Sequence, residues 1–208
     1  MSDSQNNNII KVILLGESGV GKTNLINIIK GGEFNEIEPS TVAGISSMKT
    51  LSVKGNKFTI QLWDTIGQER FRQLTKMFYN NSKIVIFVYD ITDRKSFEEI
   101  KNYWVNDVEE KIGKDIIKGV IANKIDLFLN ETVNEEEGEE YAKSIGAQFL
   151  VTSAKAYGPA KFEDFLIKLY EEYLDKNGIN LTDPKNNKIN KNIVLNKNVN
   201  SNKRKKCC

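Results

Sequence analysis

The residues with the clearest chemistry form a glycine-rich stretch from Gly16 to Thr23, with the sequence GESGVGKT. Its glycines allow a tight backbone whose successive N–H groups point inward and form a nest for an anion. Lys22 adds a positive charge, and the hydroxyl of Thr23 is a suitable ligand for Mg²⁺. The stretch therefore predicts a site for the phosphates of a nucleotide, formed by Ser18, Gly19, Val20, Gly21, Lys22, Thr23 and Asn24.

The segments on either side of this stretch support the interpretation. An apolar run from Ile9 to Leu15 predicts a strand, and the residues from Asn24 to Ile29 predict a helix. Strand, glycine-rich loop and helix form the context in which the P-loop pattern G-x-x-x-x-G-K-[ST] binds phosphate, because the positive end of the helix dipole faces the anion. A P-loop alone is compatible with a kinase, an ATPase or a GTPase.

A second motif, Asp64-x-x-Gly67, follows a predicted strand about forty residues after Thr23. The carboxylate of Asp64 is placed to hold Mg²⁺ through water, and the backbone N–H of Gly67 is placed to bond the γ-phosphate. The motif by itself is weak, because many strands end in such a turn.

Two further motifs concern the base. In Asn123-Lys124-x-Asp126, the carboxylate of Asp126 accepts hydrogen bonds from N1–H and the 2-amino group of guanine, which adenine does not offer. Such a site rejects a base that leaves its own polar groups unpaired. Ser153-Ala154-Lys155 fits a loop whose backbone N–H reads guanine O6. Together the four motifs predict binding of GTP and GDP with Mg²⁺.

Strands and helices alternate along most of the chain. Besides Ile9–Leu15, we predict strands at 49–53, 58–63, 84–89, 116–122 and 148–152, and amphipathic helices at about 96–112, 134–144 and 161–175. The first pair after the P-loop helix forms an antiparallel hairpin around residues 54–57. The pattern predicts an α/β fold with a six-stranded, mostly parallel sheet, one antiparallel edge strand and helices on both faces.

Within the 208 residues, composition separates a domain at 8–176 from an Asn- and Lys-rich tail at 177–208 that we expect to be disordered. The tail carries eight Lys or Arg and one Asp, or +7, which leaves −5 for the residues before it out of a net +2. An acidic domain with a basic tail argues against nucleic acid as a partner. The absence of histidine excludes a His-based catalytic triad.

The chain resembles the Ras superfamily of small GTPases over roughly residues 8–175 and again at the C-terminus. Three stretches make the resemblance strongest to the Rab branch. These stretches are LWDTIGQERF at 62–71, FVYDITD at 87–93 and the terminal pair Cys207-Cys208. The resemblance implies a P-loop small G domain that switches between GTP and GDP and controls vesicle traffic. It also implies an exchange factor, a GTPase-activating protein, a GDP-dissociation inhibitor and effectors as partners.

The resemblance assigns roles to residues that the motifs alone do not explain. By this likeness Thr41 closes on Mg²⁺ and the γ-phosphate, joining Thr23 and Asp64 as metal-site residues. Phe34 packs against guanine, and Gln68 orients the attacking water as the catalytic residue. The leading interpretation is a switch that hydrolyses GTP, and the alternative is a GTP-binding scaffold that hydrolyses it slowly. A third hypothesis, a small-molecule kinase, is disfavoured because a kinase would not need the motif from Asn123 to Asp126.

Several positions depart from the Rab pattern. Ser46 stands where Rabs usually have a phenylalanine that joins an aromatic effector-binding triad, whose other members here are Trp63 and Phe78. Glu38 replaces an aromatic that often shields the nucleotide. Ile66 replaces an alanine beside Gly67, and its β-branched side chain is bulkier next to the hinge. We therefore expect weak binding to general Rab effectors and slow intrinsic hydrolysis.

The chain ends in Lys203-Arg204-Lys205-Lys206-Cys207-Cys208. Stable membrane anchoring needs two signals, and two prenylated cysteines beside a basic cluster provide them. We therefore expect Cys207 and Cys208 to be lipidated. The protein is then expected on the cytoplasmic face of an intracellular or plasma membrane, together with a cytosolic pool.

Overall fold

The computed structural model describes residues 9–36, 41, 44–65 and 76–181, and within them the sheet has six strands. Along the sheet the strand order is β2-β3-β1-β4-β5-β6. Strand β2 is antiparallel to β3, whereas every other neighbouring pair is parallel. The predicted fold class is therefore confirmed. The strands are β1 Ile9–Leu15, β2 Ile45–Val53, β3 Asn56–Asp64, β4 Ile84–Asp90, β5 Ile117–Asn123 and β6 Gln148–Val151.

The edge hairpin differs in detail from the sequence prediction. Asn56 pairs with Val53, so the turn contains only Lys54 and Gly55 and not the four residues predicted. Both turn residues have positive φ, 49° and 77°, as a two-residue turn matched to strand twist requires. At its other end β2 begins at Ile45, opposite Asp64, four residues earlier than predicted. Backbone pairing with β3 extends the strand through residues that lack a regular apolar alternation.

The α-helices of the described residues are α1 Lys22–Ile29, α2 Arg94–Glu99, α3 Val105–Lys111, α4 Glu135–Ser144 and α5 Ala160–Lys176. A π-helical turn, Ile100–Trp104, joins α2 to α3, so the one amphipathic helix expected here has an irregular middle. It begins two residues earlier than predicted because the side chain of Asp93 caps it, accepting the N–H of Lys95 at 3.1 Å. None of the helices in this part of the chain is long and apolar enough to cross a bilayer.

Each face of the sheet carries its own apolar core. Successive residues of β1 point to opposite faces. Ile10, Val12 and Leu14 pack with α1 and α5, whereas Ile13 and Leu15 pack with α2, α3 and α4. Strand β4 is buried along its whole length, which explains its uninterrupted apolar sequence. Helices on both faces hold the sheet rigid under the loops that follow its strands.

The sheet topology determines where a ligand fits. Strand β1 lies between β3 and β4, so the chain leaves β1 toward the edge formed by β2 and leaves β4 and β5 toward the opposite edge, formed by β6. Such a switch point leaves a crevice at the carboxyl ends of the strands. The glycine-rich loop follows β1, and Asp64 and Asn123 are the last residues of β3 and β5, so all three lie at the carboxyl ends of the strands.

Candidate nucleotide-binding site

A cavity of about 340 Å³ opens at this edge of the sheet. Fourteen of the residues predicted from sequence line it: Ser18, Gly19, Gly21, Lys22, Thr23, Asn24, Phe34, Thr41, Asn123, Lys124, Asp126, Ser153, Ala154 and Lys155. Three lining residues were not anticipated, Glu36, Thr65 and Leu127. Of these, Thr65 follows Asp64 directly and Leu127 follows Asp126 directly, and this adjacency was the available signal for both. The structure therefore brings four motifs that are separate in sequence to one concave surface.

Two glycines of the loop are required by their surroundings. Gly16 has φ +147°, and a Cβ atom there would lie 2.1 Å from the carbonyl oxygen of Val88. Gly21 precedes α1 with φ +97°, and a Cβ atom there would lie 2.3 Å from Nδ2 of Asn123. Both the backbone conformation and the lack of space exclude other residues. The loop is thereby held close to β4 and β5, with the N-terminus of α1 facing the cavity.

The ammonium group of Lys22 lies inside the loop. Its Nζ atom donates to the carbonyl oxygen of Gly16 at 2.8 Å and to that of Glu17 at 2.7 Å. Burial lowers the pKa of Lys22 from its ordinary 10.5 to about 8, while the carboxylates of Asp64 and Glu17 act in the opposite direction. A buried ammonium group that donates to backbone carbonyls is well suited to meet the negative charge of a phosphate.

The lowered pKa predicts a pH-dependent affinity. Phosphate stabilises the protonated lysine and raises its pKa, so binding takes up a proton wherever the free site has lost one. We expect GDP affinity to be constant below about pH 8 and to fall above it, by up to about tenfold per pH unit. The measurement is the GDP dissociation constant by calorimetry from pH 7 to 9.5.

Lys22→Arg is the control for this pH profile, because a guanidinium stays charged over the whole range. The fall in GDP affinity that is caused by deprotonation of Lys22 should be absent from this variant. Any fall that is caused by titration of the guanine base should be equal in the two proteins. Identical profiles for the two proteins would contradict the assignment.

Three oxygen atoms from different segments meet beside the lysine. The hydroxyl of Thr23 donates to Oδ2 of Asp64 at 2.7 Å and lies 2.9 Å from the hydroxyl of Thr41. The hydroxyl of Thr41 lies 3.2 Å from the same carboxylate oxygen. Hydroxyl and carboxylate oxygens are the donors that Mg²⁺ prefers, so this cluster fits the magnesium role predicted for its three members.

At the other end of the cavity the Asn123 motif meets the Ser153 loop. The hydroxyl of Ser153 donates to Oδ1 of Asp126 at 2.5 Å, which orients the exposed carboxylate. The amide of Asn123 is buried, donating to the carbonyl of Val20 at 2.7 Å and accepting the N–H of Ala154 at 3.3 Å. Asn123 thus ties the phosphate loop to the base-side loop, a connecting function that its sequence motif did not predict.

The base-side wall contains an aromatic ring and a lysine. The ring of Phe34 lies 5.8 Å from Nζ of Lys155, which also pairs with Glu36 at 3.4 Å. The loop that carries Phe34 is held by Asn24, whose amide exchanges hydrogen bonds with the backbone of Asn35 at 2.9 and 3.0 Å. A flat base placed between these groups would contact an aromatic face and an alkyl chain on opposite sides.

Lys124 and Val20 contribute through neighbours. The ammonium of Lys124 pairs with Asp90 at 2.7 Å, an acidic residue at the end of β4 that the sequence analysis did not single out. Val20 does not line the cavity, because its side chain is buried in the core and only its carbonyl reaches Asn123. The predicted residues Gly67, Gln68, Cys207 and Cys208 lie outside the described residues, as do Glu38 and Ile66.

The fold and this site define a P-loop protein that binds guanine nucleotides, and comparison with known proteins agrees. The Ras family model matches residues 11–173. The human Ras-related protein Rab-8B is 38% identical over 168 residues, which cover 81% of this chain and 80% of that protein. Ras-related protein Rab-8 of Diplobatis ommata is 38% identical over 81% of this chain and 79% of its own length. Ras-related protein Rab-8A of Gallus gallus is 40% identical over 71% of each chain.

The chain therefore belongs to the Ras family of small GTPases, within its Rab branch. It is accordingly a GTP-binding and GTP-hydrolysing protein of the class that regulates vesicle traffic, which confirms the leading interpretation of its sequence. The family also implies regulators and effectors that distinguish its nucleotide states.

Proposed function

We propose that this protein is a switch whose two nucleotide states differ in the loops around Thr41 and Gly67. The observation that carries the proposal is the meeting of Thr23, Thr41 and Asp64 beside Lys22, because Thr41 itself belongs to none of the described helices and strands. A residue whose hydroxyl joins this cluster would lose a partner when the γ-phosphate leaves, and order against disorder of such loops is how this class of switch signals.

Mg²⁺ fits the proposed switch. Thr23 and Thr41 would hold the ion directly and Asp64 through water, and when bound the ion would neutralise charge on the phosphate oxygens. Lys22 would contact the β- and γ-phosphates, with the N–H groups of residues 18–24 around them. Phe34 and Lys155 would enclose the base, and Asp126 would read its N1–H and amino groups.

Hydrolysis is assigned to Gln68, which would orient the attacking water while the N–H of Gly67 contacts the γ-phosphate. Ile66 is the residue expected to slow this step. The isoleucine side chain has three more carbons than alanine, and overpacking beside the hinge costs about 1–3 kcal/mol if that side is packed. A penalty of about 1.4 kcal/mol on the closed state slows the reaction about tenfold.

Single-turnover phosphate release from protein preloaded with GTP tests hydrolysis. We expect slow release from the natural chain, about tenfold faster release from Ile66→Ala, and slower release from Gln68→Leu. A rate that is unchanged by Ile66→Ala while Gln68→Leu lowers it would refute the hinge argument and leave an ordinary switch. No detectable turnover in any of the three proteins would favour the GTP-binding scaffold.

The surface expected to bind effectors lies on the outer strands. Trp63 and Phe78 are in contact, with ring centroids 5.2 Å apart, and Ser46 pairs with Trp63 across β2 and β3. Nζ of Lys11 lies 4.8 Å from the Trp63 ring, adding a positive charge to the same surface. Large aromatic anchors dominate most interfaces, and position 46 offers a small polar side chain in place of one. We infer that effectors of this protein bind a surface that has serine at this position.

Membrane attachment is proposed to depend on Cys207 and Cys208, with the basic residues 203–206 adding attraction to anionic lipid. The proposed domain ends near the end of α5 at Lys176, although Leu181 still packs against the core beside α1 and α5. The tail beyond it would let the domain stand away from the bilayer.

Replacing both cysteines by serine is expected to move the protein from the membrane pellet to the soluble fraction of cell lysates. One lipid chain binds a bilayer only marginally, so each single replacement should give partial release. The affinity of the double variant for GDP should be unchanged, which serves as the internal control. Undiminished sedimentation of the double variant with membranes would show that another feature anchors the protein.

A further inference from the structure

Glu17 is unusual in its position. It lies within the loop that would receive the phosphates, yet it is not among the residues that line the cavity. Its side chain turns to the opposite side, where Oε1 accepts the indole N–H of Trp104 at 3.1 Å. The two residues are 87 positions apart in sequence. A carboxylate in an anion-binding loop opposes the ligand unless something directs it elsewhere.

Trp104 is fixed by its own surroundings. It is fully buried in the core that α2, α3 and α4 form on the sheet, and the ring of Tyr103 packs edge-on at 5.0 Å. It ends the π-helical turn, in which the N–H of Val105 donates to the carbonyl of Ile100 five residues earlier. Such wide turns are rare and occur often at functional sites. The indole N–H is therefore a rigid donor aimed at the phosphate loop.

Glu17 also connects this donor to Lys22. Its backbone carbonyl accepts from Nζ of Lys22 at 2.7 Å, while its carboxylate accepts from Trp104. The position of one residue therefore affects both the ammonium group that meets the phosphates and a negative charge that repels them.

We propose that Trp104 is a positioning residue for the phosphate loop, holding the Glu17 carboxylate away from the bound nucleotide so that GDP is released slowly. The proposal rests on the proposed nucleotide site and adds to it a residue outside the motifs. Without the indole N–H, the carboxylate loses a partner that holds it away from the phosphates, and the backbone that presents a carbonyl to Lys22 loses one of its side-chain anchors.

The test uses the full chain loaded with a fluorescent GDP analogue, from which release is followed after adding excess GDP. Trp104→Phe keeps an aromatic ring and removes the donor, and we expect release about tenfold faster, a change that corresponds to about 1.4 kcal/mol. Adding Glu17→Gln to Trp104→Phe should reverse at least half of the increase in the release rate, on a logarithmic scale. The side chain at position 17 then carries no charge that repels the phosphates. Glu17→Gln alone keeps an acceptor for the indole and should release GDP no faster than the natural protein.

Phe97→Leu is the matched control, because Phe97 is fully buried on the preceding turns of the same helix and packs against Tyr89 and Tyr141 away from the loop. We expect it to lower the midpoint of urea unfolding without changing GDP release. Release at the natural rate from Trp104→Phe, or no restoration by the second substitution, would overturn the proposal and leave Trp104 a core residue. If Trp104→Phe does not fold, faster release from Glu17→Gln alone would overturn it. Failure of the natural chain to bind GDP would instead refute the proposed function.

Discussion

Asp126→Asn is expected to weaken binding of GDP and GTP on the order of a thousandfold and to allow xanthine nucleotides to bind in their place. In the proposed base site the carboxylate would accept two hydrogen bonds from guanine, and an amide would face one of those donors with a donor of its own. Loss of two such bonds costs about 4 kcal/mol, which is close to three factors of ten. The 2-oxo group of xanthine reverses the polarity and accepts from the new amide.

Dissociation constants for GDP, xanthosine diphosphate and ADP, measured on both proteins, check this result. The bond from Ser153 to Asp126 fixes the carboxylate orientation, so an amide at the same position has a defined rotamer. Asp164→Asn is the matched control, because Asp164 is an exposed acidic residue on α5 and is expected to have no influence on binding. Equal affinity of the natural protein for GDP and ADP would contradict the assignment of the base site.

Lys22→Met is expected to weaken nucleotide binding on the order of a thousandfold and, at the same time, to stabilise the nucleotide-free domain. Loss of charge-assisted bonds to two phosphates costs about 4 kcal/mol, again on the order of a thousandfold in affinity. The stabilisation follows from burial, because methionine has a similar length and no charge to desolvate. We expect the unfolding free energy at pH 7 to rise by on the order of 1–2 kcal/mol, after the two lost hydrogen bonds are counted.

The sign of the stability change depends on pH. The unfolded chain keeps the Lys22 proton up to about pH 10.5, whereas the folded chain loses it near pH 8. The unfolded state therefore binds more protons between these values, and the unfolding free energy rises with pH across that range. The penalty for burying the ammonium is full below pH 8 and disappears by about pH 10.5, and with it the advantage of Lys22→Met.

Urea unfolding of nucleotide-free protein at pH 7 and pH 10 measures both effects, with binding followed by calorimetry. Lys30→Met is the matched control, because Lys30 is exposed at the end of the same helix and should alter neither binding nor stability by a comparable amount. A destabilised Lys22→Met domain at pH 7 would show that the two hydrogen bonds of the ammonium outweigh its desolvation.

The amino-acid sequence by itself determined the architecture and the chemistry of the site. The apolar run of β4 and the alternation of β3 are local patterns that depend on whether one or both faces of a strand are buried. The glycine-rich loop and the Asn123 motif were equally predictable from the sequence, because each needs particular residue types at fixed short spacings. Their order along a βαβ pattern was enough to predict that they would meet at one edge of the sheet.

Only the tertiary structure decided how these groups are held. Asn123 joins two loops through Val20 and Ala154, partners 103 and 31 positions away, and Trp104 meets Glu17 across 87 positions. The hydroxyl of Thr41 reaches Thr23 and Asp64 only because three segments converge. The spacing of residues within one segment carries no information on such contacts. These contacts depend on the position of each helix along the sheet and on the rotation that a π turn gives to the helix after it. They also depend on which backbone atoms can approach a residue closely because it is glycine.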